Sequence, residues 1–389
     1  MAYLLNKLVT LALFLGSIQA LNNGLGLTPA MGWNSWNKYG CNINEQVIKS
    51  NAKRMLDLGL DRLGYKYLNI DDCWLLANRD ANNHIIVDPI KFPKGMKEMG
   101  DFLHSQGLKF GLYNSAGTMT CQRLAGGLTY EQVDALDYAS WGVDYFKYDN
   151  CYNLDLPGPM RYNAMRDALA KSGRQVYYSL CSWGTDDVWQ WGNQTGNSWR
   201  TTGDIRNEWK SVVSNYQTND LHPESAGPGG WNDPDMLEIG NGGLSDSEER
   251  SHFALWAFAK APLIIGCDLT SVKTSSLNIL KNKNLIAINQ DPLGLQATCI
   301  LNCVSDIHVI GAQQNGYFAA MVMNWNDDLP QAITLDFALM GASTSINAAC
   351  KVTDLWSNQP IGTFVGFLNT PVIQPHDNTA YKIVCDAAQ

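Results

Sequence analysis

Val143-Asp144-Tyr145-Phe146-Lys147-Tyr148-Asp149-Asn150-Cys151 is the stretch from which the rest of the chain is read. Val143, Tyr145, Phe146 and Tyr148 are β-branched or aromatic and suit a buried strand, which then breaks off into polar side chains. Successive side chains of a strand point to opposite faces, so Lys147 and Asp149, two apart, share one side. An unpaired carboxylate is costly in a core, which puts Asp149 at the strand end, beside water or a polar ligand. On residue types alone the pair reads equally well as an ion pair closing a strand.

Similar runs recur on either side: Ala30–Trp36, Tyr65–Asp72, Lys109–Ser115, Tyr145–Asn150, Val176–Cys181, Ser198–Asp204, Gly230–Leu237 and Pro262–Asp268. Their spacing fits the roughly 30 residues that a strand and its crossover helix occupy. Helical patterns fill the gaps. Residues 45–58 place Ile48, Ala52, Met55 and Leu56 on one face. Thr129-Tyr130-Glu131-Gln132 reads as a capping box with Gly142 as the stop, and Ser245-Asp246-Ser247-Glu248 as a second box leading into Phe253, Leu255, Trp256 and Phe258. Eight such units predict an α/β fold, a (β/α)8 TIM barrel over residues 21–292, with a doubly wound open sheet as the alternative. After Pro292 the pattern changes to short alternating runs, at 306–310, 317–324, 332–337, 349–354, 363–367 and 381–384, separated by turn residues. They predict a C-terminal antiparallel β-sandwich domain over 293–389.

Composition narrows the function. The 389 residues carry a net charge of −9 without a basic cluster, which argues against nucleic acid and anionic membranes as partners. Six His and no zinc-type spacing leave no His/Cys metal set, and no Gly-rich phosphate loop follows a strand. Residues 1–20 read as a secretory signal peptide: Lys7, then the apolar run Leu8–Leu15, then Ser17-Ile18-Gln19-Ala20. A secreted location makes the ten Cys disulfide candidates and the sequon at Asn193 a glycosylation site.

In a barrel of this kind the strands deliver their C-terminal residues to one mouth. Those residues are Trp33 and Trp36; Asp71, Asp72 and Trp74; Tyr113; Lys147 and Asp149; Cys181, Ser182 and Trp183; Arg200 and Asp204; and Asp233 and Asp235. Carboxylates accept hydrogen bonds from sugar hydroxyls, and indoles pack on the apolar face of a pyranose. Two of the carboxylates then serve as nucleophile and acid for glycosidic cleavage. The competing reading is a divalent-metal enzyme, with Asp71, Asp72, Asp233 and Asp235 on magnesium or calcium.

Five segments carry a resemblance: Ala30-Met31-Gly32-Trp33-Asn34-Ser35-Trp36, Asn69-Ile70-Asp71-Asp72-Cys73-Trp74, Lys147-Tyr148-Asp149-Asn150-Cys151, Trp199-Arg200 with Asp204, and Gly229-Gly230-Trp231-Asn232-Asp233-Pro234-Asp235-Met236. In this order they resemble glycoside hydrolase family 27, the family of eukaryotic α-galactosidases and α-N-acetylgalactosaminidases. The resemblance implies a retaining double displacement on α-galactoside oligosaccharides, with Asp149 as nucleophile and Asp204 as acid/base. It needs no metal or organic cofactor. Asp71 and Asp72 match the pair that holds the axial 4-OH and the 6-OH of galactose. Lys147 and Arg200 match further sugar contacts, Trp36 an indole near C6, and Asp235 a residue near the 2-OH and 3-OH, with Ser182 and Trp183 as further substrate-binding positions.

The family's common Cys-Glu-Trp stands here as Cys181-Ser182-Trp183. Ser182 also resembles the α-N-acetylgalactosaminidases, where a small residue makes room for an N-acetyl group, so that activity is the alternative. A lectin-like, non-catalytic sugar binder is a more remote one, and a homo-oligomer is left open. The resemblance also implies the pairs Cys41–Cys73 and Cys121–Cys151 at the mouth, and a free Cys181. Cys299–Cys303 and Cys350–Cys385 follow from proximity and parity.

Overall fold

The computed structural model describes residues 21–386; the segment read as a signal peptide, 1–20, lies outside the described residues. Eight short parallel strands are β1 (Met31–Asn34), β2 (Tyr67–Asn69), β3 (Lys109–Ser115), β4 (Tyr145–Asp149), β5 (Tyr177–Cys181), β6 (Ser198–Arg200), β7 (Trp231–Asp233) and β8 (Leu263–Ile265). They pair in the order β8-β1-β2-β3-β4-β5-β6-β7. The two ends of that order meet at a parallel bridge between Leu237 and Ile265. There the Leu237 N–H donates to Ile264 O (2.8 Å) and the Gly266 N–H to Leu237 O (3.0 Å). The sheet therefore closes on itself as a barrel, and the open doubly wound alternative falls.

Strand β4 shows why the sequence folds this way. Phe146 and Tyr148 face outward and pack on Tyr138 and Tyr178 beneath the helices. Tyr145, Lys147 and Asp149 alternate with them and face the barrel axis. Inside, Tyr145 stacks on Tyr177 (5.0 Å), and Tyr67 lies against both, so three phenol rings plug the barrel floor. The polar residues above that plug are thereby pushed up to the mouth.

The surrounding helices are α1 (Trp36–Tyr39), α2 (Glu45–Asp57), α3 (Gly95–Ser105), α4 (Glu131–Trp141), α5 (Gly158–Lys171), α6 (Gly192–Thr195), α7 (Trp209–Asn219), α8 (Asp246–Phe258), α9 (Thr274–Leu280) and α10 (Lys283–Asn289). The Ser245 capping box on α8 forms as expected, with both reciprocal bonds in place. The box expected at Thr129 does not. Thr129 takes a left-handed φ of 72°, and Tyr130 caps α4 without a side-chain bond. A short hairpin that the sequence reading passed over, Leu75–Arg79 with Ile85–Val87, stands between β2 and α3.

The C-terminal strands are β9 (Thr298–Leu301), β10 (Ile307–Gln314), β11 (Tyr317–Asn324), β12 (Ala349–Asp354), β13 (Pro360–Val365) and β14 (Asn378–Cys385). They form one antiparallel sheet in the order β9-β10-β11-β14-β12-β13, and Thr334–Asp336 pairs separately with Phe367–Asn369. The run expected at 363–367 is split by Gly366 (φ 78°), where the chain turns away from β12 to reach its new partner. The domain docks on the barrel through Ser251 Oγ to His376 O (2.6 Å), Arg250 to Asp377 (3.1 Å) and the buried Lys260 to Gln314 (2.9 Å). Among the described residues no helix is long and apolar enough to cross a membrane.

His252 on α8 carries an acid-stability prediction. It is fully buried, stands edge-on to Trp256, and its Nε2 accepts the Glu238 N–H (3.0 Å). Burial pushes its pKa down to about 3. An unfolded His titrates near about 6.5, so between those values the unfolded chain binds the extra proton and stability falls as pH drops. Tm should decline from pH ~6.5 downward more gently in His252→Gln, whose amide oxygen keeps the acceptor without titrating. Equal slopes would remove His252 as the cause.

Candidate active site

β1 ends in Asn34 and Ser35. Asn34 Nδ2 donates to Asp71 Oδ2 (2.8 Å), and Ser35 Oγ accepts the Asp71 N–H (3.0 Å). Trp36 opens α1, half-buried at the mouth. Trp33, by contrast, is core, bonded to Cys267 O (2.7 Å), and Trp74 is core, bonded to Tyr113 O (2.9 Å).

After β2 the chain turns sharply. Asp71 and Asp72 are both buried; Asp71 Oδ1 accepts the Asp72 N–H (2.9 Å) and Asp72 Oδ1 the Cys73 N–H (2.7 Å). Cys73 holds a φ of 77° and is bonded to Cys41. This turn is the bend that brings two consecutive carboxylates to one mouth. Burial, with Asp71 adding to it, pushes Asp72 up to about 6.

β4 supplies the centre. Lys147 Nζ donates to Asp71 Oδ2 (2.8 Å) and lies over the Tyr113 ring (5.3 Å). Burial opposes the charge on Lys147, but Asp71, Cys181 and Asp149 outweigh it and push its pKa well up. Asp149 is 6% exposed, and its Oδ1 accepts the Asn150 N–H (2.8 Å). Burial raises its pKa; Lys147 works against that, and Asp204 adds to it. The two carboxylates therefore feel each other. The Asp149 carboxylate lies within 4.8 Å of Cys121 and Cys151 Sγ. Those sulfurs are bonded to each other, so the cluster is a disulfide braced against a carboxylate.

The far wall comes from β5 to β7. Ser182 is buried, and its Oγ donates to Arg200 O (3.3 Å). Trp183 sits half-buried at a φ of 60°. Arg200 Nη2 reaches Asp204 Oδ1 (3.1 Å) and Asp235 Oδ2 (3.0 Å), and Nη1 the free thiol of Cys181 (3.5 Å). Asp204 comes four residues after Arg200, on a loop, with its side chain 66% exposed. What burial it has opposes its charge, but Arg200 and then Lys147 outweigh that and hold its carboxyl below the usual range. Water at so exposed a group screens the pair. Asp235 has a φ of 84°; its Oδ1 accepts the Met236 N–H and its Oδ2 the Ile205 N–H. Asp233 lies deeper, accepts the Asp235 N–H (2.8 Å), and is pushed up to about 6 by burial.

The structure thus gathers Trp36, Asp71, Asp72, Lys147, Asp149, Ser182, Trp183, Arg200, Asp204 and Asp235 around one mouth. It also brings in residues that the strand-end reading missed. Asn34 backs Asp71. Asn150 bridges Arg161 (2.7 Å) and Thr185 (3.2 Å) behind Asp149. Glu238, 3% exposed, accepts from Asn37 and Asn241 and is pushed up to about 7 by burial. The only signal for Asn150 was its place beside Asp149, and for Asn34 its place between Trp33 and Ser35 at a run's end, in the quoted segments. Cys299–Cys303 and Cys350–Cys385 close the remaining bridges, and Cys267 is a free core thiol. The sequon falls on α6, where Asn193 is 8% exposed and Thr195 Oγ1 donates to Asn163 Oδ1 (2.8 Å).

Residues 28–291 match the family model described as Alpha galactosidase A, and 308–383 the one described as Alpha galactosidase C-terminal beta sandwich domain. The chain is 48% identical over 343 residues to "Alpha-galactosidase 3" of Arabidopsis thaliana, covering 88% of this chain and 78% of that protein. It is 45% identical over 365 residues to the Coffea arabica α-galactosidase, covering 93% and 95%. The crystal structure of α-galactosidase I from Mortierella vinacea matches with a TM-score of 0.89 at 36% identity, over 94% of this chain and 100% of that one. The α-galactosidase of Saccharomyces cerevisiae solved with raffinose matches with 0.89 at 33%, over 94% and 99%. The chain belongs to glycoside hydrolase family 27, the α-galactosidase A family.

Proposed function

We propose that the protein is a secreted, retaining exo-α-galactosidase. It releases terminal non-reducing α-D-galactosyl residues from oligosaccharides of the melibiose and raffinose type. The observation that carries this reading is the pairing of a buried, cation-flanked Asp149 with an exposed Asp204 at one mouth. In the first step Asp149 attacks the anomeric carbon, the glycosidic bond breaks, and Asp204 gives its proton to the leaving oxygen. In the second step Asp204 takes a proton from water, whose oxygen displaces Asp149 and restores the α configuration. Lys147 supports the charge on Asp149 before attack. Asp71 and Asp72 read the 4-OH and 6-OH. Each carboxylate has about four acceptor sites, and those already used leave room for a sugar hydroxyl. The disulfides and the leader segment support secretion. Proton NMR of the first-formed galactose tests the stereochemistry: the α anomer is expected, and the β anomer would refute a retaining path.

The protonation states set the pH dependence. Productive enzyme needs Asp149 ionised and Asp204 protonated, yet Asp149 is shifted up and Asp204 down. That form peaks between the two pKa values. Above both, it falls about tenfold per pH unit. The kcat/KM for raffinose, whose leaving oxygen needs the proton, should therefore peak in acid and fall as pH rises toward about 8. A profile flat or rising over that range contradicts the assignment.

Ser182 supports one second reading, α-N-acetylgalactosaminidase activity, because its small side chain leaves space beside the 2-position. Hydrolysis of the nitrophenyl α-galactoside against its 2-acetamido analogue decides. The galactoside is expected to be the better substrate, and a higher kcat/KM on the analogue would reverse the assignment.

A further inference from the structure

Asp204 lines a cleft of about 590 Å3 whose walls do not include Asp149. If Asp204 protonates the leaving oxygen, the space beyond it takes the leaving group. Its walls come from three segments: α1 with Trp36 and Asn37, the loop from Asp204 to Asn207, and the stretch after β7 with Glu238 and Asn241. Ile205, Leu237 and Ile239 anchor two of these segments in the core, but α1 has no buried residue. Polar bonds tie α1 to the others. Asn37 Nδ2 donates to Glu238 Oε1 (2.6 Å), and Asn241 Nδ2 donates to Glu238 Oε2 (2.5 Å). The Gly243 N–H donates to Asn207 Oδ1 (3.2 Å), joining the third segment. Gly266 permits the close approach: a Cβ there would lie 3.1 Å from Asn37 Cβ.

We infer that Glu238 is a positioning residue for the leaving group: through Asn37 and Asn241 it fixes the wall, Trp36 included, that holds a neutral, hydroxyl-rich sugar beyond the scissile bond. The inference rests on the α-galactosidase reading. Amides that donate and accept, beside an indole, match hydroxyls and a pyranose face rather than a lipid chain. Glu238 is 3% exposed and spends both carboxylate oxygens on Asn37 and Asn241, so it acts through these partners.

The test compares raffinose with a nitrophenyl α-galactoside. Both present the same galactosyl group, and only the first offers a sugar as leaving group. In Glu238→Met, kcat/KM on raffinose should fall about tenfold further than on the nitrophenyl substrate, mostly through KM. Asn37→Ala should shift the ratio in the same direction. Glu238→Gln should recover most of it, because Asn241 can turn its buried, unpartnered Oδ1 toward the new amide. Equal losses on both substrates in the two variants would overturn the inference, as would no loss on either. If Glu238→Met does not fold, the Asn37→Ala ratio alone decides in the same two ways. Failure of the underlying reading looks different: the wild-type protein would then cleave neither substrate.

Discussion

Asp149→Ala is expected to lower kcat/KM by about 10^4-fold or more on every α-galactoside, whatever the leaving group. Asp149 is the inward-facing residue at the end of β4, and no other carboxylate takes its place. Asp71 is held by Lys147 and Asn34, and Asp235 by Arg200 and two backbone N–H groups. The fold should survive. Burial is the largest influence on the Asp149 pKa and works against its charge, so the native carboxylate is kept at the expense of stability. The loss of activity should come with a Tm within a few degrees of wild type. Azide entering the vacated face should give the inverted β-galactosyl azide, never a retained product. Near-normal turnover of a disaccharide would refute the nucleophile assignment, and a large Tm loss would mean that the activity loss reports unfolding.

Asp204→Ala is expected to discriminate between leaving groups. On raffinose, whose leaving alkoxide needs a proton, kcat/KM should drop about 10^2- to 10^4-fold. On a nitrophenyl substrate the first step needs little protonic help, so kcat/KM should fall far less. The second step loses its base, so kcat and KM should fall together as the galactosyl-enzyme accumulates. Azide attacking that intermediate should give the α-galactosyl azide. The opposite azide stereochemistry in the two variants separates their roles. Asp204 lies on an exposed loop, so its loss should leave stability untouched, and equal losses on both substrates would contradict the acid/base role.

The barrel was legible because each strand is a short buried run that stops at a polar residue, and β4 shows the alternation in full. What was not legible lies beyond those stops. Asp204 was read as a strand end, but it comes four residues after β6, on a loop whose course Arg200 and the Asp235–Ile205 bond set. Trp33 and Trp74 look like mouth residues in sequence, but their indoles donate to backbone carbonyls within the core. The Thr129 box failed because Thr129 itself is left-handed and α4 is capped one residue later, at Tyr130, without a side-chain bond. Glu238 was overlooked because its partners, Asn37 and Asn241, meet it only once the barrel closes.

The central claim is that a galactosyl group becomes bonded to Asp149 during turnover. Trapping the protein with a fluorinated galactosyl donor that slows the second step, followed by peptide mass mapping, tests it directly. The mass increase is predicted on the peptide carrying Lys147-Tyr148-Asp149, with the modification on Asp149. A label on Asp204 or on any other residue, or full turnover with the β anomer formed first, would contradict it.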